Sequence, residues 1–75
     1  MNSKSTKIFQ LGRNIYKKRR ELGYSQNNFA EKIDISREHL AKIETGKRNL
    51  SLGLLFKIAE TLDIEEKDLF DFSDM

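Results

Sequence analysis

Residues 25–45, SQNNFAEKIDISREHLAKIET, carry two short apolar patterns separated by a break. Phe29, Ala30 and Ile33 recur at helical spacing before the break, and Leu40 and Ile43 after it, so each set lies on one face of a helix. The two faces are able to pack on each other. Between them, Asp34-Ile35 must turn the chain sharply, and aspartate tolerates left-handed backbone better than most residues. Two short helices joined steeply in this way form a helix-turn-helix.

The start of each helix is marked by a recurring signal. In Tyr24-Ser25 to Phe29, Ile35-Ser36 to Leu40 and Leu50-Ser51 to Leu55, a serine cap follows an apolar residue whose partner lies five positions on. That spacing is the hydrophobic staple, which sets the angle at which the chain enters a helix. Ile64-Glu65 to Leu69 repeats it with a poorer cap. Ahead of these, a helical pattern runs from Ile8 through Leu11, Ile15 and Leu22 and stops at Gly23, a natural helix end. Its other side carries Arg13, Lys17, Lys18 and Arg20, while Arg19 lies nearer the apolar side and is a candidate for an internal partner.

After the central unit, Leu52 to Leu62 places Leu52, Leu55, Ile58, Ala59 and Leu62 inward, with Leu54 and Phe56 on the flanks and Gly53 as a weak point in the first turn. A short fifth helix is expected from about Glu65 to Phe70. The domain is thus read as residues 8–70, with a polar, mobile tail at 1–7 and an acidic tail at 71–75.

A chain of 75 residues makes one small domain, which buries only about 60% of the surface its unfolded form exposes. It has no cysteine, which excludes disulfides and thiolate metal sites, and its one histidine cannot hold a metal alone. No apolar run is long enough for a membrane span and the first residues lack a signal-peptide core, so a soluble, cytoplasmic protein without membrane contact is expected. The net charge of +2 conceals a division: residues 1–48 hold twelve Lys/Arg and five Asp/Glu (12 − 5 = +7), and residues 49–75 hold two and seven (2 − 7 = −5). The basic half suits a polyanion and the acidic half faces away from it. No nucleophile, base and orienting residue assemble from spacing and no glycine loop cradles phosphate, so no catalytic residue, cofactor, metal or small-molecule substrate is assigned. His39 is read as a partly packed or solvated side chain.

On the third helix, Leu40 and Ile43 point inward while Glu38, Ala41, Lys42 and Thr45 point away, with Arg37 on the N-terminal flank. A helix that enters the major groove needs long hydrogen-bonding side chains in its N-terminal half and a small residue where the backbone comes close. Arg37 or Lys42 suits guanine O6 and N7, Glu38 suits cytosine N4, and Ala41 is small. The competing reading is a solvated face with a Glu38–Lys42 ion pair, worth about 0.2–0.5 kcal/mol.

The succession Ile15, Arg19, Leu22-Gly23, Ser25-Gln26, Phe29-Ala30, Ile33, Ile35-Ser36, Leu40, Ile43-Glu44, Gly46-Lys47-Arg48-Asn49, Leu52, Leu55, Ile58-Ala59, Leu62, Leu69-Phe70 closely resembles the lambda-repressor-like, or Cro/XRE, helix-turn-helix regulators of bacteria and phages. The likeness runs over about residues 8–70 and rests on many spaced positions together. It implies an all-α, compact five-helix domain whose second and third helices form the DNA-reading unit.

Carried across by position, the resemblance puts Gln26 at the start of the second helix, where the family sets a glutamine and its backbone amide against a phosphate; helix N-termini favour anions. It puts Ser36, Arg37, Glu38 and Lys42 at base-reading positions, and Thr45, Lys47, Arg48 and Asn49 on the loop that grips the backbone. Arg19 and Glu44 match a family ion pair that bridges the first helix to the end of the third. The chain departs from the family pattern at Asp34, where glycine is usual, at Asn27-Asn28, which replace an acidic pair and favour phosphate contact, and at Leu50, where proline is common.

The leading expectation is a transcriptional regulator that binds double-stranded DNA in a sequence-specific manner, as a homodimer on a palindrome with half-sites about 34 Å apart. The alternative is a protein-interaction module on the same scaffold, recognising a toxin, a polymerase subunit or its own kind. For dimerisation the acidic second half is expected to serve, through Leu54, Phe56 and Phe72, with Leu50 and Phe56 also suited to the core edge and Leu54 less so.

Overall fold

The computed structural model describes residues 3–73, with side chains described from Thr6 onward. Five helices, and no strand, occur among the described residues: α1 Ser3–Glu21, α2 Gln26–Lys32, α3 Arg37–Glu44, α4 Leu52–Leu62 and α5 Glu66–Leu69. Serine side chains cap three of them as the staple signal predicts. Ser25, Ser36 and Ser51 accept from the backbone N–H groups of Asn28 (3.0 Å), His39 (3.0 Å) and Leu54 (3.1 Å), and each such cap is worth on the order of 1 kcal/mol. The Tyr24 and Phe29 rings meet with centroids 5.5 Å apart, closing the first staple. At α5 the cap is inverted: the Asp68 carboxylate accepts from the Glu65 N–H at 3.1 Å.

The turn after α2 is a Schellman closure. Asp34 N–H donates to Glu31 O (3.2 Å) and Ile35 N–H to Ala30 O (3.0 Å), with Asp34 left-handed at φ 62°. Asp63, at φ 57°, ends α4 with the same pair of bonds. These turns fold the apolar faces onto one core of Ile15, Phe29, Ala30, Ile33, Leu40, Ile43, Leu55, Ile58, Ala59, Leu62 and Leu69. α1 is its spine, packing on α3, α4 and α5, while α2 packs on α3.

Several expectations are corrected. α1 begins at Ser3 and not at Ile8, because lengthening a helix already anchored at Ile15 avoids the cost of a new nucleus, even through polar residues. Of the expected tail at residues 1–7, only residues 1 and 2 lie outside the described residues. Leu22, expected on the apolar side, is 53% exposed; α1 ends at Glu21, so the helical repeat that placed Leu22 inward no longer applies. Leu52 is 69% exposed. As the first residue of α4 it stands on the rim of a groove of about 290 Å³ shared with Ile8, Leu50, Leu55 and Phe70. Leu54 packs against the core, whereas Phe56 is exposed, reversing the two assignments at the core edge.

Two polar residues take part in the interior. Gln10 and Asn14 are buried on α1, and Asn14 Nδ2 donates to the carbonyls of Leu69 (2.9 Å) and Asp71 (3.0 Å). Gln10 Nε2 donates in turn to Asn14 Oδ1 at 3.2 Å. Asp71, read as the start of the acidic tail, is therefore tied to α1, while residues 74 and 75 lie outside the described residues.

Candidate nucleic-acid interface

α3 is held from beneath. Leu40 and Ile43 are buried, and so is Glu44 at the C-terminal end. The Glu44 carboxylate accepts two bonds from the Arg19 guanidinium, Nε to Oε2 at 2.6 Å and Nη2 to Oε1 at 3.1 Å. Arg19 also donates from Nη1 to the Tyr24 carbonyl at 2.7 Å, so this one side chain joins α1, the α1–α2 turn and α3. Both partners are almost wholly excluded from solvent. A buried pair of this kind adds little net stability over apolar groups of the same volume, but removing one partner strands the charge of the other.

A close backbone approach reinforces the anchor. At Gly12, in the middle of α1, a Cβ would collide with the Ile43 carbonyl oxygen and come within 3.0 Å of that of Glu44. The α1 backbone therefore lies directly against the end of α3. The sequence carries a signal for this: a glycine inside a helical pattern costs about 1 kcal/mol and usually has a packing reason. At the following turn Gly46 has φ 75°, and a Cβ there would stand 2.8 Å from Phe9 Cα, so the loop after α3 also rests on α1.

Above this base, Arg37, Glu38 and Lys42 are exposed and Ala41 is half-buried, all on the one helix. Ser36 is exposed, with its hydroxyl committed to the cap. Thr45 is exposed and donates its hydroxyl hydrogen to the Ala41 carbonyl at 2.9 Å. Lys47, Arg48 and Asn49 form the exposed loop beyond. Asn27 and Asn28 are exposed in the first turn of α2, and His39 is half-buried.

Gln26, which the resemblance sets against a phosphate, has its side chain engaged within the chain. Its Nε2 donates to Glu44 Oε1 at 2.9 Å, and its Oε1 accepts from Arg37 Nη1 at 3.4 Å. The glutamine side chain thus links the buried pair to the first side chain of α3. No single sequence position signals this bridge, which depends on how α2 and α3 cross.

Of the residues expected at a dimer surface, Leu54 contributes to the core edge, Phe56 stands exposed on α4, and Phe72 is half-buried with its ring edge-on to Phe70 at 6.2 Å. No cluster of three or more His, Asp or Glu residues able to hold a metal occurs among the described residues. Among the described residues no helix is long and apolar enough to cross a membrane.

A helix-turn-helix family model matches residues 15–69, which takes in Arg19, the α2–α3 unit and all of α5. The chain belongs to the Cro/XRE-type helix-turn-helix family. Among its relatives are HTH-type transcriptional regulators. It is 42% identical over 62 residues to control protein C.MunI of a Mycoplasma species, covering 81% of this chain and 84% of that protein. An uncharacterized HTH-type transcriptional regulator of Archaeoglobus fulgidus is 39% identical over 56 residues, 75% of this chain and 80% of its own length. Control protein C.BamHI of Bacillus amyloliquefaciens is 41% identical over 49 residues, covering 65% of this chain but only 60% of the relative. Among solved structures, the restriction-modification controller C.AhdI of Aeromonas hydrophila superposes with a TM-score of 0.83 at 32% identity, over 87% of this chain and 98% of that one. This helix-turn-helix chain therefore shares both sequence and five-helix architecture with regulators.

Proposed function

We propose that this helix-turn-helix protein regulates transcription from the cytoplasm by reading the major groove of a palindromic operator as a homodimer. The observation that carries the reading is the exposure of Arg37, Glu38 and Lys42 on a helix anchored below by the Arg19–Glu44 pair. Base readout requires long donors and acceptors on a support that does not yield. Two control proteins and a restriction-modification controller among the relatives support an operator-binding role.

In this reading, Ser36, Arg37, Glu38 and Lys42 face base edges. Gln26, Asn27 and Asn28 meet one phosphate at the start of α2, and Thr45, Lys47, Arg48 and Asn49 meet another beyond the end of α3. Phosphate contacts set register, and base contacts set sequence choice. Because the Gln26 side chain is engaged by Glu44 and Arg37, its contribution to phosphate binding comes from its backbone N–H. The exposed Phe56 and Leu52 on α4, on the acidic half of the chain, favour that side for the second copy.

The test is a titration of the full chain against duplexes enriched from a random pool, repeated over a range of salt. A sequence preference, with log affinity falling by roughly 0.9 per phosphate contacted per unit of log salt, is expected. Arg37→Ala and Glu38→Ala should change which sequence is enriched, and Lys47→Ala should weaken all duplexes alike. A parent protein with neither preference nor salt slope sinks the reading and raises the interaction-module alternative in its place.

A further inference from the structure

On α1, Tyr16 and Arg20 lie outside every role assigned above. The Tyr16 ring carries two guanidinium groups, Arg19 at 5.3 Å and Arg20 at 5.7 Å from its centroid. Arg19 is buried and committed to Glu44 and to the Tyr24 carbonyl. Arg20 is exposed, donates from Nη1 to the Tyr16 hydroxyl at 3.2 Å, and has no carboxylate at ion-pair distance among the described residues.

This arrangement leaves two kinds of donor facing outward. A guanidinium has five N–H groups in a planar fork, of which the tyrosine takes one. The phenol accepts from Arg20 and so retains its own hydrogen for an outside acceptor. The Glu44 charge is matched by Arg19, so Arg20 is the uncompensated charge of the cluster. A fork of donors with a hydroxyl donor beside it suits a tetrahedral oxyanion.

The position indicates which oxyanion. Tyr16 and Arg20 share an open depression with Tyr24, Ser25 and Gln26, and Gln26 is bonded to Arg37 on α3. The cluster therefore borders the start of α2, where Gln26 joins it to Arg37, the first residue of α3. The geometry points to Tyr16 and Arg20 as a further phosphate clamp, which takes a diester of the duplex backbone flanking the bases read by α3. This inference rests on the reading of the chain as a DNA binder and extends its footprint onto α1.

The experiment titrates the full-length parent, Arg20→Ala, Arg20→Lys, Tyr16→Phe and Lys47→Ala against the enriched duplex and a scrambled one, at salt from about 50 to 300 mM. Arg20→Ala is expected to weaken both duplexes on the order of tenfold at the low-salt end and to reduce the salt slope by about one per protomer. Arg20→Lys restores the slope. Tyr16→Phe, which removes a donor and no charge and retains the ring, weakens binding by roughly three- to tenfold at unchanged slope. If Arg20→Ala and Tyr16→Phe keep the parent affinity and slope while Lys47→Ala loses about one unit, the clamp is overturned and DNA binding stands. A parent without a salt slope overturns both.

Discussion

The Gln26 side-chain amide donates to the Glu44 carboxylate at 2.9 Å, across the angle between the start of α2 and the end of α3. Because Glu44 also holds Arg19, and Gln26 also receives Arg37, four side chains from three helices form one chain of bonds from the interior to the exposed face. The pose of α3 thereby depends on a buried charge pair.

Removing one member of that pair leaves the other stranded. Arg19→Ala should cost about 3–5 kcal/mol, since Glu44 stays buried without its counter-charge. At about 4–8 °C per kcal/mol for a domain of this size, the melting temperature should fall by more than about 12 °C in calorimetry. The double variant Arg19→Met/Glu44→Leu, with no orphaned charge, is expected to lose less than the single one. An Arg19→Ala protein that melts with the parent contradicts the role assigned to the pair.

Gly12 lies inside α1 and Gly53 in the first turn of α4, and the two should respond oppositely to the same change. Gly12→Ala forces a methyl group into the Ile43 carbonyl and should lower stability by about 1–3 kcal/mol. Gly53 has nothing within 4 Å of a would-be Cβ, so Gly53→Ala should raise stability by up to about 1 kcal/mol through helix propensity. Urea midpoints at constant slope report both signs.

Asp34 holds a left-handed conformation that glycine adopts without strain. Asp34→Gly is expected to be neutral to stabilising, by up to about 1 kcal/mol, and Asp34→Val destabilising by about 1–2 kcal/mol. Equal melting temperatures for the two variants would show that the turn does not depend on this backbone state.

Asn14 secures the end of α5 through two carbonyls. Asn14→Ala should cost about 1–3 kcal/mol. Amide hydrogen exchange offers the more specific check. Residues 66–71 should lose protection well before the α2–α3 unit does, and a uniform loss would argue against a local clamp.

Leu54 and Phe56 separate stability from association. Leu54→Ser removes a side chain packed on the core and should cost about 1–2 kcal/mol. Phe56→Ser, at a position 51% exposed, should leave the melting temperature of dilute protein unchanged. If α4 carries the second copy, sedimentation should show weaker self-association for Phe56→Ser, and identical profiles for variant and parent would remove Phe56 from the interface.

Most of the fold could be read from residue order because its determinants are local. A serine cap and its staple act within six residues, and helical spacing places Phe29, Ile33, Leu40, Ile43, Leu55, Ile58 and Leu62 inward wherever the helix runs undisturbed. Spacing set Arg19 toward the interior, but Glu44 as its partner was legible only through family likeness, since the two residues lie 25 positions apart on different helices. Spacing failed at helix ends, at Leu22 and Leu52, where the repeat stops but the arithmetic continues. It also could not show that Gly12 meets Ile43, that Asn14 reaches Leu69, or that Gln26 joins Glu44 to Arg37. Those relations depend on crossing angles and distances between helices, which arise when all the faces pack at once.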